Sequence, residues 1–277
     1  YTIKNLPTPQ ELNSYYANQY YQNQSGQYQE DYSKEEIQYF ENEALEYEFI
    51  CRNKLRVKGR AFLDLGCGEG WNLKMFHRSG WKIQGVDFSS FGLQQFNPEM
   101  VKFFKQSDIE KYLNETLPGS FDVVLMKNVL EHVLDEHLIL SSCKKVVQKN
   151  GVMIVKVPND FSKLHEYLLD NKFIDRQFWV APPAHLRYFT HQSLVNLMEH
   201  HGFKPAWMSS DYPIDMDLLV EEMNYIQKKE KGKISHHARV AKENFMYHQN
   251  MEGICEMHAA LAKMGIGRNV IGVFKLK

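Results

Sequence analysis

The chain has 277 residues, 43% of them hydrophobic, which is enough for one large α/β domain or for a core domain with an added cap. Its 33 Lys and Arg residues nearly balance its 34 Asp and Glu residues, and the net charge of −1 argues against a nucleic-acid partner bound through a basic surface. The apolar runs are too short to span a bilayer, and four widely spaced cysteines indicate reduced thiols. We therefore expect a cytoplasmic protein without a membrane partner.

Residues 1–34 are rich in Tyr, Gln and Asn and poor in aliphatic side chains. They are either a disordered polar segment or a lid over a pocket. We favour the lid because disordered segments are usually poor in aromatic residues, and Tyr21 is then a candidate contact for a bound substrate. Ser33 and Glu36 form a capping-box pattern that starts a helix. Residues 1–54 are thus predicted to form an N-terminal lid and helix.

Short apolar strands alternate with helices through the middle of the chain. The predicted strands are 61–65, 82–86, 101–104, 121–126 and 152–157, and the predicted helices are 71–79, 91–96 and 135–147. Such alternation is typical of parallel βαβ units in a doubly wound, mostly parallel Rossmann-like sheet of the α/β class. Residues 55–210 are predicted to form this core, with an aromatic-rich lid inserted at about 159–190.

The remaining segments are predicted to be mainly helical. We expect helices at 192–201, 214–229 and 238–264 and a closing strand at 270–275. Residues 211–277 would then be a helical cap or an oligomerisation segment that ends in a core strand. A homodimer is one outcome of this arrangement.

The stretch AFLDLGCGEG at residues 61–70 predicts a buried strand, a glycine turn and a helix. Gly66 and Gly68 permit positive φ and let a ligand lie against the backbone, although glycines also serve plain tight turns. The helix N-terminus adds free N–H groups. A dinucleotide fingerprint needs a small residue where this chain has Trp71, so a pyrophosphate cradle is disfavoured.

Two carboxylates flank this turn. Asp64 precedes it, where an acid would oppose a pyrophosphate but suits an ammonium-bearing amino-acid tail, directly or through water. Asp87 ends the strand at 82–86, where its carboxylate can accept hydrogen bonds from two ribose hydroxyls. The combination predicts a nucleoside ligand that also carries an amino-acid group.

The stretches DLGCGEG (64–70), GVD (85–87) and FDVVL (121–125), followed by Glu131-His132, resemble the class I S-adenosylmethionine-dependent methyltransferases. The match is to the broad subgroup that methylates small metabolites and sugars. It implies S-adenosylmethionine as methyl donor, with S-adenosylhomocysteine as product. It also implies transfer to O or N of a small polar acceptor, such as a sugar, nucleotide-activated or phosphorylated precursor of surface polysaccharide.

The resemblance also assigns roles to individual residues. The candidate cofactor-binding residues are Asp64, Gly66, Cys67, Gly68, Asp87, Phe88, Asp108, Ile109 and Asn128. Phe88 would cover one adenine face and Ile109 would pack on the ring. Asp108 would accept from the adenine amine or simply cap the helix that follows it, and the two roles can coexist.

His132 and His185 are the candidate catalytic residues. His132 follows the fourth strand, and a near-neutral reference pKa suits a general base, although the Glu-His pair could instead order the loop. His185 is equally compatible with a structural role. Arg187 is predicted to contact an anionic acceptor or to pair with a neighbouring carboxylate. Tyr188 is a further candidate acceptor contact.

No metal site is expected from the sequence. Adjacent histidines occur at 200–201 and at 236–237, and neighbouring residues on a helix point in different directions. Two alternative functions remain open: an NAD-type oxidoreductase, which Trp71 disfavours, and a non-catalytic methyltransferase-like module, which the intact acid and glycine set disfavours.

Overall fold

The computed structural model describes residues 1–4, 6–8, 10–11 and 31–277. Tyr21, a predicted acceptor contact, lies outside them. Among the described residues, no helix combines the length and the apolar character that a bilayer crossing requires.

A seven-stranded sheet forms the centre of the molecule, with strand order β3-β2-β1-β4-β5-β7-β6. The strands are β1 Ala61–Leu65, β2 Lys82–Asp87, β3 Phe104–Gln106, β4 Phe121–Lys127, β5 Val147–Pro158, β6 Phe203–Ser210 and β7 Asn269–Leu276. The pairs among β1 to β5 are parallel, whereas β7 pairs antiparallel with both β5 and β6. The predicted mostly parallel Rossmann-like sheet is confirmed.

The helices cover both faces of this sheet. They are α1 Lys34–Phe49, continued by a π-helical turn at Ile50–Lys54, α2 Trp71–Arg78, α3 Phe91–Phe96, α4 Ile109–Glu115, α5 Glu136–Val146, α6 Lys163–Asp170, α7 His191–His200, α8 Lys231–Gln249 and α9 Met251–Met264. The predicted capping box of α1 is present, because Ser33 Oγ accepts from the N–H of Glu36 at 3.2 Å and Glu36 accepts from that of Ser33 at 2.9 Å.

Alternate residues of each buried strand point to opposite faces, and this period separates the core into two clusters. In β4, Val124 and Met126 belong to one cluster, which α4, α5 and α7 cover. Val123 and Leu125 belong to the other, which α1, α2 and α9 cover. Because the parallel strands are buried on both faces, they appear in the sequence as continuous apolar runs.

Several predicted elements are wrong in type or extent. Residues 101–104 mostly form the end of a 3₁₀ helix, Pro98–Phe103, and the third strand begins only at Phe104. The helix predicted at 214–229 is replaced by two 3₁₀ helices, Ile214–Leu219 and Glu221–Met223. The amide oxygen of Asn224 accepts from two following backbone N–H groups, and these bonds favour a turn over a continuous helix.

The C-terminal helix predicted at 238–264 is divided in two. Asn250 ends α8 with extended backbone and caps α9, since its side chain accepts from Gly253 N–H at 3.0 Å. Neither the strand β6 nor the helix α6 is predicted from the sequence. α8 packs on α1, and α9 on β6, so this part of the chain adjoins the sheet layers.

Candidate active site

The turn after β1 lies at the carboxyl end of the parallel strands, where ligands of open α/β sheets collect. Gly66 and Gly68 have φ values of +73° and +49°. The N–H of Gly66 donates to the carbonyl of Val86 at 2.8 Å, which fixes the turn against β2. A Cβ at position 66 would lie 2.4 Å from Cγ2 of Val129. Glycine is therefore required at position 66 by both conformation and space.

Asp64 is a buried carboxylate with an unusual environment. Its side chain is 1% exposed, and neither oxygen has a hydrogen bond of normal geometry from a described residue. Burial raises the pKa of Asp64 to about 7, although Lys127 and the nearby amide of Asn72 act in the opposite direction. An unpaired buried acid is costly, so this position suits a cationic or hydrogen-bond-donating ligand.

Asp87 connects β2 to the glycine turn. Its Oδ2 accepts from Gly68 N–H at 3.0 Å, and its Oδ1 accepts from Ser89 N–H at 3.1 Å. The carboxylate is 7% exposed, and each oxygen has more than one lone pair. Asp87 therefore organises the turn, and its predicted ribose contact stays a prediction.

The predicted adenine-side residues surround the ends of β2 and β3. Phe88 is 49% exposed and accepts from Gln106 through its carbonyl at 2.8 Å. Asp108 caps α4 by accepting from Lys111 N–H at 2.9 Å, which is the alternative role considered for it. Ile109 is buried in the core. The adenine contacts of Phe88, Asp108 and Ile109 therefore stay predictions.

Cys67 lies in the glycine turn, and Asn128 follows directly after β4. The Cys67 side chain is 6% exposed and packs in the core cluster beneath the turn, where burial raises its pKa well above the ordinary value. The cofactor contact of Cys67 stays a prediction, and its buried side chain leaves the main chain for that contact. Asn128 is exposed, adopts φ +53° and donates its N–H to the Lys156 carbonyl at 2.9 Å.

Tyr32, Glu69 and Trp71 form a contact that sequence reasoning missed. The Tyr32 hydroxyl donates to Glu69 Oε1 at 2.8 Å, and the Trp71 indole N–H donates to Oε2 at 2.7 Å. The Tyr32 ring lies 4.9 Å from those of Phe40 and Phe96. The segment that leads into α1 is therefore attached to the glycine turn. The only sequence signal was the high Tyr content of the N-terminal segment.

A buried ionic cluster supports the same edge of the sheet from α1. Glu43 pairs with Lys127 and, at 2.5 Å, with Lys156, while Tyr47 donates to Glu43 at 3.1 Å. The two ammonium groups hold the pKa of Glu43 well below its ordinary value despite burial. Lys156 also lies 3.5 Å from Asp211. Sequence reasoning missed this cluster because its members are far apart in the chain.

The rings of His132 and His185 lie next to each other, with centroids 5.0 Å apart. His132 Nδ1 lies 2.6 Å from the carbonyl oxygen of Ala184. Burial lowers the pKa of His132, and it lowers that of His185 to about 4. Both imidazoles are therefore neutral at pH 7. The structure brings together the two residues predicted from the sequence to be catalytic.

Glu131 fixes the loop that carries His132. Its carbonyl accepts from the N–H groups of Leu186 and Arg187 at 2.9 and 3.2 Å, which joins this loop to the segment of His185. Its carboxyl group is 1% exposed, and burial raises its pKa to about 8. Glu131 is thus mainly protonated at pH 7, consistent with the structural role expected for it.

Arg187 and Tyr188, predicted to contact the acceptor, have their polar groups engaged within the protein. Arg187 is 8% exposed, pairs with Glu136 and donates to the Leu134 carbonyl at 2.7 Å. The Tyr188 hydroxyl accepts from Ala181 N–H and donates to the carbonyl of its neighbour His185, both at 3.2 Å. These contacts match the alternative of a neighbouring carboxylate for Arg187, and the acceptor contacts of Arg187 and Tyr188 stay predictions.

Two groups of three side chains have ligand atoms within 4.8 Å of one another among the described residues, Glu131/His132/His185 and His137/His200/His201. The sequence prediction of no metal considered only pairs adjacent in the chain. It did not consider a third histidine from another element.

Comparisons with known proteins identify the same fold and chemistry. A family model described as a methyltransferase domain matches residues 28–206. A ubiquinone biosynthesis O-methyltransferase of Nitrosococcus oceani is 27% identical over 201 residues, covering 67% of this chain and 84% of that protein. A probable S-adenosylmethionine-dependent methyltransferase of Mycolicibacterium smegmatis is 26% identical over 173 residues, covering 61% of each.

The solved structure of a 1,6-didemethyltoxoflavin-N1-methyltransferase from Burkholderia thailandensis, with that compound and S-adenosylhomocysteine bound, is also similar. It is 13% identical, with a TM-score of 0.56, covering 100% of this chain and 94% of the other. A methyltransferase from Archaeoglobus fulgidus has a TM-score of 0.52 at 19% identity, and the match covers 84% of this chain and 94% of the other. At these identities the two structures support the fold alone.

Proposed function

The chain belongs to the methyltransferase domain family and is an S-adenosylmethionine-dependent methyltransferase, and from this premise we propose that it methylates a hydroxyl oxygen of a small molecule. Membership of this family removes the NAD-type oxidoreductase and the non-catalytic module as alternatives. The relatives named for a pathway act in ubiquinone biosynthesis, so the predicted surface-polysaccharide precursor has no support from them. We accordingly place hydroxylated aromatic compounds before sugars as acceptors.

The residues around the glycine turn fit the methyl donor. When bound, S-adenosylmethionine supplies a methyl group on a sulfonium sulfur for in-line displacement. Gly66 and Gly68 would admit its methionine portion, and the unpaired carboxylate of Asp64 would receive the ammonium group directly or through water. Asp87 would accept from the ribose hydroxyls. Phe88 would cover the adenine.

The contact of His132 with Ala184 carries the proposal of an oxygen acceptor. A carbonyl oxygen only accepts, so at 2.6 Å the Nδ1 of His132 carries the proton and donates it. In the neutral imidazole, Nε2 is then the basic nitrogen. Burial lowers the pKa of His132, which keeps this basic form present at and below pH 7. A hydroxyl nucleophile needs such a base, whereas a neutral amine does not.

Three further assignments belong to this proposal. His185 lies beside His132 and, being neutral, adds no positive charge that would oppose protonation of its neighbour. We propose that residues 159–190 form a lid over the acceptor, whereas the acceptor contact of Tyr21, which lies outside the described residues, stays a prediction. A homodimer through residues 211–277 and a cytoplasmic location stay predictions.

Turnover of His132→Gln with a panel of phenolic, sugar and amine acceptors tests this function. We expect kcat to fall by about 10²- to 10⁴-fold, the usual contribution of a general base, with little change in S-adenosylhomocysteine affinity. The matched control is His248→Gln, an exposed position in the last turn of α8, which should retain wild-type turnover. Methylation of nitrogen acceptors alone, or wild-type turnover of His132→Gln, would contradict the proposal.

A further inference from the structure

Three histidines converge at the surface where α5 begins and α7 ends. His137 lies in the first turn of α5, His200 is the last residue of α7, and His201 is the residue that caps it. The centroid of the His137 ring is 5.8 Å from that of His200 and 5.0 Å from that of His201, and the two adjacent rings are 5.3 Å apart. Two helices distant in the chain thus supply one cluster of imidazoles.

The end of α7 explains why two adjacent histidines can serve one site. His201 has φ −83° and ψ 7°, outside the regular helix, and its N–H donates to the Leu197 carbonyl at 3.3 Å. Adjacent side chains point in different directions within a regular helix. This rule does not extend to a residue such as His201 that follows the last helical residue. His200 and His201 can therefore both approach His137.

The nitrogen positions are close to those of a metal site. His137 Nδ1 and His201 Nε2 are 2.8 Å apart, and each of the three histidines offers one ring nitrogen that lies within 4.8 Å of a ring nitrogen of the other two. Zinc–nitrogen bonds of about 2.0–2.1 Å in tetrahedral geometry separate the nitrogens by roughly 3.4 Å. The closest pair therefore has to open by about half an ångström, a small movement for exposed side chains.

The surroundings orient the imidazole of His201. Ser141 Oγ lies 3.3 Å from its Nδ1, which leaves Nε2 toward His137. Glu136 lies 3.9 Å from His137 Nε2, although its carboxylate is also paired with Arg187. The Lys144 ammonium lies nearby and opposes a cation, but it is one flexible charge on an exposed side.

We propose that His137, His200 and His201 bind a zinc ion, with water completing a tetrahedral site, and that this ion links α5 to the end of α7. Three imidazoles and an open position are a donor set that suits zinc and other late first-row divalent metals. The site is independent of methyl transfer.

The test is calorimetric titration of the full chain, freed of any histidine tag, with zinc chloride at pH 7.5. We expect one ion with a micromolar Kd, and a loss of affinity of at least tenfold in His137→Ala and in His201→Ala. The exposed His248→Ala is the matched control and should bind as the wild type does. Cobalt(II) should give the visible absorption of a tetrahedral site in the wild type and lose it in His137→Ala.

The second histidine group provides the competing outcome. Zinc binding that survives in His137→Ala but is lost in His185→Ala would place the ion at Glu131, His132 and His185 and overturn the proposal. A wild-type Kd in the millimolar range would overturn it as well. Since His137 is exposed, thermal unfolding of His137→Ala without zinc should match that of the wild type, which separates loss of the site from loss of the fold.

Discussion

Replacing Glu43 with glutamine removes a carboxylate that Lys127 and Lys156 share. Lys156 is 4% exposed, and among the described residues its remaining ion pair in Glu43→Gln is with Asp211, at 3.5 Å. Breaking a buried pair by removing one partner costs about 3–5 kcal/mol. Because the carboxylate of Asp211 remains, we expect the free energy of unfolding to fall by about 3 kcal/mol, the lower limit of this range.

Glu41 on the same helix is the matched control for this experiment. It pairs with Lys74 at 2.8 Å and Arg78 at 3.4 Å near the surface. Pairs of this kind contribute about 0–1 kcal/mol, so Glu41→Gln should cost no more than that. Urea unfolding of both variants, followed by circular dichroism at pH 7, measures the difference directly. A difference of less than about 1 kcal/mol between the free energies of unfolding of the two variants would refute the reasoning.

The pH dependence provides a second readout with a defined sign. The folded-state pKa of Glu43 lies below its ordinary value of 4.5, so its stabilising contribution is present above pH 4.5 and is lost as pH falls further. The stability difference between the wild type and Glu43→Gln should therefore narrow below pH 4.5. A difference that stays constant down to pH 3 would contradict the assigned charge state.

Two further substitutions address the cofactor turn. Asp87→Ala should weaken S-adenosylhomocysteine binding by about 1.5–3 kcal/mol in calorimetry if the carboxylate holds a charge-assisted pair of bonds, and unchanged affinity would remove Asp87 from the site. Gly66→Ala should reduce that affinity at least tenfold, because position 66 has φ +73° and its Cβ would meet Val129 at 2.4 Å. Gly232→Ala in helix α8, where the added Cβ would lie 3.8 Å from Cβ of Tyr225, should bind as the wild type does.

The parallel half of the sheet and the turn were predictable because their signals are local. Strand β1, Gly66 and Asp87 fall within 30 residues, and each apolar run is bounded by turn residues. The alternation of strands and helices then determined the α/β class. The residue spacing also placed His132 at the edge of the sheet where it is found.

Two of the failures have a different cause, since they depend on contacts between distant parts of the chain. Glu43 has the sequence pattern of a solvated helix residue, and only the fold places it beside Lys156, 113 residues away. The side chain of Asn224 donates to the Phe173 carbonyl at 2.7 Å, a contact 51 residues apart that supports a turn within the predicted helix. Such tertiary contacts override local propensity.

The most direct test of the cofactor assignment is the number of protons exchanged when S-adenosylhomocysteine binds. With a pKa of about 7, Asp64 is roughly half protonated at pH 7, and an ammonium group placed against it would lower that pKa. Calorimetry in buffers of different ionisation enthalpy should therefore show release of up to about half a proton at pH 7. The release should disappear in Asp64→Asn and persist in Glu131→Gln. No proton release by the wild type, or equal release by Asp64→Asn, would contradict the placement of the amino-acid group at Asp64.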